Sequence, residues 1–340
     1  MNDFVTGWGF IGASTIAREH MLAAVRAQPG HEVVAVASGD AARAAAFAAE
    51  QGVRAAYGSV DALLADPAVR VVYISSTNEQ HMRQALAAIA AGKHVLCEKP
   101  LATAIEDARR MVGAARRAGV LFATNHHLRN AATHRRMREV VQGGAIGRPL
   151  FARIFHAIYL REQVQGWRID RPDAGGGVIL DIATHDVDAL RFVLGTEPVE
   201  ATGMRQLGPL SRNGAEDGLM AVLRMDDGVL AQIHAAYTVR YAPTGMEVHG
   251  EDGSVCASDS MTTRAAGQVL LRNARGEQAL DVAHEPLYVA GVRRFCEALA
   301  GRCGPAADGA DGIRSLEAAL AVAQACRSAR VVTIDPPAPS

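Results

Sequence analysis

The stretch Gly7 to His20, GWGFIGASTIAREH, decides how the N-terminal third of the chain is read. It holds two overlapping turn candidates. A literal G-x-G-x-x-G lies at Gly7, Gly9 and Gly12, and a second turn, GASTIA, begins where the first ends. A fold that seats a dinucleotide needs an apolar strand, a tight turn of small residues, and a helix whose N-terminus faces the diphosphate. With the first register, Trp8, Phe10 and Ile11 crowd the diphosphate and the strand shrinks to Phe4-Val5-Thr6. With the second, a strand from about Val5 to Ile11 buries those three residues. The turn becomes Gly12-Ala13-Ser14, and a helix starts near Thr15, capped by Ser14 or Thr15. Ala17 then stands where the fingerprint accepts Gly or Ala. We adopt the second register. In it Ser14 replaces the middle glycine, and its hydroxyl is a candidate phosphate ligand. The bland alternative is a strand–turn–helix with no ligand.

The surroundings support a ligand. HEVVAVAS (31–38), VRVVYISS (69–76), KHVLCEKP (93–100) and GVLFATN (119–125) read as strands. Helical patterns occupy 41–51, 79–91 and 103–118, the last opening on a capping box, Thr103 to Glu106. Continuous rather than alternating Val, Ile and Leu runs mark parallel strands covered on both faces. This alternation predicts a doubly wound sheet.

From about residue 149 the texture changes. PLFARIFHAIYL, DGLMAVLRM, GVLAQIHAAYTV and MEVHGEDGSVCA are strand-like, with Asp227-Gly228 and Asp252-Gly253 as hairpin signals. Helices are expected near 288–300 and 310–328. The expected class is therefore α/β: an N-terminal doubly wound parallel domain, 1–125, and a C-terminal α+β domain, 126–340, with a mostly antiparallel open sheet. The boundary is placed near 125–130, and helices of the C-terminal third are candidates to pack back on the first domain.

Composition narrows the function. The 340 residues are 49% hydrophobic and 21% charged, with net charge -1. That allows two globular domains. It offers no basic stripe for nucleic acid. The most basic stretch, Arg129 to Arg138, reads as a solvated helix face. Five cysteines without C-x-x-C fit reduced thiols of a cytoplasmic protein rather than disulfides or zinc. The N-terminus lacks signal-peptide character, no stretch is apolar enough to span a membrane, and the tail PPAPS is expected to fray.

Cofactor choice turns on the end of the second strand. NAD proteins usually carry an acid there, NADP proteins small residues and an arginine. Here the strand ends at Ser38, followed by Gly39, Asp40 and, one helical turn on, Arg43. This favours NADP(H), with Asp40 as either a ribose acid or a helix cap. Glu98 and Lys99 close a parallel strand at the edge where ligands bind, and a lysine there suits a developing alkoxide. A surface lysine is the alternative. After a glycine loop at 175–177, Asp181 and His185 are four residues apart on one helix face. A carboxylate there would hold a protonated imidazole, a proton donor; a structural Asp–His pair is the alternative. Thr77, Asn78 and His81 follow the fourth strand, TNHHLRN (124–130) follows the sixth, and Trp167-Arg168 comes from the second half. His156, His234 and His249 read as structural strand residues. No ligand set of settled metal spacing is found.

In this order, the short Gly-Ala-Ser turn, TNEQH, AAGKHVLCEKPLA and GGGVILDIATHDVD resemble the glucose–fructose oxidoreductase / inositol dehydrogenase family over nearly the whole chain. The resemblance implies a Rossmann domain and an NADPH-dependent reduction of a keto-sugar. It implies that Gly12, Ala13, Ser14, Thr15 and Ile16 meet the pyrophosphate, and that Ser38, Gly39 and Arg43 hold the 2′-phosphate. Ser76, Thr77, Asn78 and His81 line the ribose and nicotinamide; Glu98, Lys99 and Asn125 surround the ring. Trp167, Arg168 and Tyr288 close the site from the second domain. Lys99 and His185 match the family's catalytic pair, with Asp181 beside them, and Lys99-Pro100 matches a bond often cis in the family. The second-domain sheet often makes a dimer face there, and a monomer is also possible. Rival readings are an NAD-dependent polyol dehydrogenase, a non-catalytic dinucleotide-binding regulator, and a glycoside-cleaving member retaining NAD. Segment 205–216 matches no motif and reads as a variable loop.

Overall fold

The computed structural model describes residues 5–335; the tail Pro336–Ser340 lies outside the described residues, as do Met1–Phe4. The chain divides into two compact units. The described part of the first is residues 5–126 with 288–313, and of the second 127–287 with 314–335. The chain thus returns to the first unit at Tyr288, beyond the boundary expected near 125–130. Its physical basis there is packing: the ring of Trp8 lies 5.4 Å from that of Phe295, and Thr124 Oγ1 donates to the Asp308 carbonyl at 3.0 Å, covering the last strand's edge.

In the first unit, strands β1 (Thr6–Ile11), β2 (His31–Ala37), β3 (Ala55–Tyr57), β4 (Val69–Ile74), β5 (His94–Cys97) and β6 (Phe122–Thr124) form a parallel sheet. Its order is β3-β2-β1-β4-β5-β6. The order reverses between β1 and β4, the switch point at which such sheets seat ligands beyond their carboxyl ends. Helices α1 (Leu22–Arg26), α2 (Ala41–Gln51), α3 (Val60–Leu64), α4 (His81–Ala90) and α5 (Ile105–Ala118) complete the windings. Val71, Val72, Tyr73 and Ile74 are fully buried, as expected of strands covered on both faces. The capping box at Thr103 is not realised. The helix starts at Ile105 with Ala104 as its cap residue and no side-chain cap bond, which leaves Thr103 one position too early.

The second unit contains α6 (Ala132–Gln142), β7 (Pro149–Ala157), α7 (Glu162–Asp170), α8 (Thr184–Leu194), β8 (Pro198–Gln206), β9 (Gly218–Met225), β10 (Leu230–Ala236), β11 (Gly245–Gly250), β12 (Gly253–Ser258), β13 (Gln268–Asn273), β14 (Gly276–Leu280) and β15 (Val332–Thr333). The sheet order is β14-β13-β12-β11-β7-β10-β9-β8-β15. It is antiparallel except at β7–β10, which run parallel. A parallel pair needs a long crossover, and α7 and α8 lie in this one. Along β9, buried Leu219, Ala221 and Leu223 alternate with outward Met220 and Val222, so the sheet has one core face.

Candidate active site

The opening question about the glycines is answered by packing. Gly7 and Gly9 lie inside β1, and Trp8, Phe10 and Ile11 are buried. A Cβ on Gly7 would run into the Ala68 carbonyl oxygen, and one on Gly9 would sit 2.7 Å from Leu63 Cδ2. Those glycines let neighbouring elements approach the strand. Gly12 has φ +112, and a Cβ there would meet the Ser75 backbone at 2.9 Å. It makes the turn. Helical structure begins at Thr15, passes through a π-turn at Ala17–Met21 and continues into α1. Ser14 is the residue that caps it, its Oγ accepting from Ala17 N at 3.2 Å and donating to Ser75 Oγ at 2.8 Å. This small-residue turn opening into a helix N-terminus at the switch point fits a dinucleotide diphosphate.

At the end of β2, Ser38 Oγ accepts from Arg43 Nε at 2.9 Å. Asp40 caps α2, its Oδ1 accepting from Arg43 N at 3.1 Å. The capping choice left open for Asp40 is therefore the one observed. Ser38 is buried, whereas Gly39 and Arg43 are exposed.

On the other side of the switch point, the ends of β4, β5 and β6 are tied together. Glu98 N donates to the Ile74 carbonyl at 2.9 Å, and Asn125 N to the Cys97 carbonyl at 2.7 Å. Glu98 Oε1 accepts from Tyr73 OH at 2.7 Å and from Asn125 Nδ2 at 2.6 Å. Burial raises the Glu98 carboxyl above the ordinary carboxylate range, against the opposing pull of Tyr73, Asn125 and Lys99. The Lys99–Pro100 peptide is cis. Ser76 Oγ donates to Gln84 Oε1 at 2.6 Å. Thr77 precedes a short helix that starts at Asn78, which is itself buried. His81 opens α4. It has no accessible surface, and its ring nitrogens lie 2.9 Å from the Pro100 carbonyl and 3.2 Å from the Ser76 carbonyl. Tyr288, expected from the second domain, belongs to the first unit. Its buried ring stacks on His20 with centroids 4.5 Å apart.

The second unit groups the remaining candidates. Asp181 sits in a π-turn, Ile179–Ala183, ahead of α8, which carries His185. Asp181 Oδ2 accepts from Arg168 Nε at 3.1 Å and from Tyr237 OH at 2.8 Å. The His185 ring lies edge-on to His127 at 4.6 Å and tilted to His156 at 6.5 Å. Asp186 Oδ1 lies 2.7 Å from His156 Nδ1, a hydrogen-bonded carboxylate–imidazole pair. His156, read as a structural strand residue, therefore belongs to this cluster. Arg168 also lies over the Trp167 ring at 4.8 Å, just after a kink at Gly166. Segment 205–216 supports the stretch that follows: Asn213 Nδ2 donates to the Asp170 carbonyl at 2.8 Å. It is ordered by Asp217, whose carboxylate accepts from Gly208 N and Leu210 N.

Sequence reasoning missed Tyr73 and Tyr237. Each lies in or next to a strand pattern that reads as core, and the polar end is invisible until the partner carboxylate is placed. Among the described residues, no group of three or more His, Cys, Asp or Glu is arranged to hold a metal. The five cysteines are free, and among the described residues no helix is long and apolar enough to cross a membrane.

Fold and cradle together define an oxidoreductase with a dinucleotide-binding Rossmann sheet. The chain belongs to the GFO/IDH/MocA oxidoreductases. Residues 6–126 match the oxidoreductase family with NAD-binding Rossmann fold, and residues 134–256 match the GFO/IDH/MocA C-terminal domain. Over 328 residues the chain is 52% identical to a 1,5-anhydro-D-fructose reductase of Ensifer adhaerens, covering 96% of this chain and 98% of that one. It is 34% identical over 273 residues to an inositol 2-dehydrogenase of Saccharopolyspora erythraea, covering 78% and 76%. A levoglucosan dehydrogenase solved with NADH and levoglucosan shares the fold, with TM-score 0.87 at 22% identity over 97% of this chain and 100% of that one.

Proposed function

We propose that this protein is an NADPH-dependent reductase of a keto-sugar, and that 1,5-anhydro-D-fructose, reduced to 1,5-anhydro-D-mannitol, is its substrate. The observation that carries the reading is the near-full-length identity to a reductase of that name. The cofactor choice is supported by the Ser38–Arg43 pair, with Asp40 engaged as a helix cap. An arginine beside a small residue at the end of β2 suits a 2′-phosphate, whereas an acid there would repel it. The free thiols support a cytoplasmic setting.

The bound nicotinamide supplies the hydride that reduces the ketone carbon. In this reading the turn at Gly12-Ala13-Ser14-Thr15-Ile16 holds the diphosphate, and Ser76, Thr77, Asn78, Glu98 and Asn125 lie along the nicotinamide half. Lys99 offers its ammonium to the oxygen that becomes an alkoxide, where charge develops only in the transition state. His185 delivers the proton to that oxygen as general acid. Asp181 holds Arg168 in place, and Trp167 presents a flat apolar face suited to a sugar or nicotinamide ring.

The test is NADPH consumption against a panel of keto-sugars that includes 1,5-anhydro-D-fructose. Turnover that peaks on this substrate supports the proposal. Absence of turnover on every ketone, with oxidation of polyols by NAD instead, overturns it. Tighter binding of NADH than NADPH overturns the cofactor choice alone.

A further inference from the structure

Glu98 poses a physical problem. Its carboxylate is buried and its conjugate acid is the form that burial favours, yet two donors converge on the same oxygen, Oε1, from Tyr73 and Asn125. Donors aimed at a carboxylate favour the charged form. The Tyr73 ring is fully buried in β4 and its phenol reaches across to β5. Asn125, just past β6, completes the clasp. Three adjacent strand ends therefore converge on one carboxyl group at the ligand edge of the sheet, which Lys99, Cys97 and Tyr288 also face. For the fold by itself this is unfavourable, since an apolar residue of similar size would avoid the desolvation.

The placement of the charge relative to a dinucleotide follows from topology. The diphosphate belongs at the Gly12 turn after β1, and the 2′-side belongs at the end of β2. The nicotinamide half then runs over the ends of β4, β5 and β6, where Glu98 sits. Nicotinamide is neutral when reduced and carries one positive charge when oxidised. A fixed negative charge beside the ring would discriminate between these two forms.

We propose that Glu98, held in place by Tyr73 and Asn125, selectively stabilises the oxidised, cationic nicotinamide, and that Tyr73 is a positioning residue for it. This rests on the dinucleotide reading above and deepens it. By favouring the cation, Glu98 makes the bound reduced cofactor a stronger hydride donor. No proton or electron passes through Glu98 itself; the hydride goes to the ketone carbon and the proton comes from the acid already assigned.

The experiment measures the dissociation constants of NADPH and NADP+ separately, by cofactor fluorescence and calorimetry, for wild type, Glu98→Gln and Tyr73→Phe. Should wild type bind the non-phosphorylated pair instead, NADH and NAD+ are used. Glutamine keeps an acceptor for both donors and removes the charge. The ratio Kd(oxidised)/Kd(reduced) is expected to rise about tenfold in Glu98→Gln, the scale of a single charge interaction at the edge of a site. In Tyr73→Phe the carboxylate loses a donor and takes up its proton at higher pH. Its ratio therefore rises as pH is lowered, and does so at higher pH than in wild type. If Glu98→Gln binds both forms with an unchanged ratio, or if the Tyr73→Phe curve overlays wild type, the inference is overturned. Should Glu98→Gln fail to fold, the Tyr73→Phe pH series decides. Failure of wild type to bind any nicotinamide dinucleotide overturns the cofactor reading, an outcome distinct from an unchanged ratio.

Discussion

Removing the Arg43 side chain gives the sharpest test of how the cofactor is chosen. Arg43 Nε donates to Ser38 Oγ at 2.9 Å, a bond to a neutral acceptor worth about 0.5–1.5 kcal/mol. Turned onto a 2′-phosphate, the same guanidinium makes hydrogen bonds to a charged group, worth about 1.5–3 kcal/mol. The net loss in Arg43→Ala is then about 1–2 kcal/mol, so NADPH should bind roughly 5- to 30-fold more weakly. NADH has no group for this arginine and should change less than about twofold. The helix should not confound the result, because Asp40 caps through the backbone N–H of residue 43, which alanine retains. Titration of both cofactors at fixed ionic strength, by cofactor fluorescence, reads the difference. Added salt should weaken NADPH binding more in wild type than in the variant, since the lost interaction is screened. Equal losses for NADPH and NADH would refute the reasoning, and so would an unchanged NADPH affinity.

The remaining expectations concern turnover, the turn and acid stability. Lys99→Ala and His185→Ala should each lower kcat by about 10²–10⁴-fold, with NADPH dissociation constants changed far less; stopped-flow turnover with parallel binding titrations separates the two, and full activity in both variants would remove the mechanism. Gly12→Ala places a Cβ against the Ser75 backbone at positive φ, so urea unfolding should show a loss of about 2–3 kcal/mol. Gly39→Ala, where an added Cβ meets nothing within 4 Å, should stay within about 0.5 kcal/mol of wild type. Burial lowers the His134 pKa from 6.5 to about 4. The unfolded chain therefore binds a proton at this residue before the folded one does, so stability present above pH 6.5 is lost as pH falls toward 4. Over that interval the loss is about 3 kcal/mol, and His134→Leu should lack that part of the slope in urea melts at stepped pH.

Several elements could be read directly from local side-chain chemistry. The register of the first turn was decidable because Trp8, Phe10 and Ile11 are too large for a diphosphate turn and the right size for a strand interior. Helix 41–51 and the parallel strands were legible because their periodicity and β-branched runs are local properties. Ser14 as a cap and the switch from parallel to antiparallel texture near 149 were legible on the same grounds. Local signals also misled. The capping box at Thr103 has the right residues, but the helix begins one residue further on. Nor does the sequence show the π-turn at Ile179–Ala183 that precedes α8.

What the chain by itself determined was therefore the order and type of its elements and the small-residue turn, each signalled within about ten residues of sequence. Tertiary structure decided who shares a hydrogen bond. Tyr73 meets Glu98 across 25 residues, Tyr237 meets Asp181 across 56, and Arg129 pairs with Asp188 across 59. It also returned Tyr288 to the first unit and paired β7 with β10 in parallel. Such partners are selected by the requirement that buried polar groups be satisfied, a condition that applies only after the chain has folded and water has been excluded.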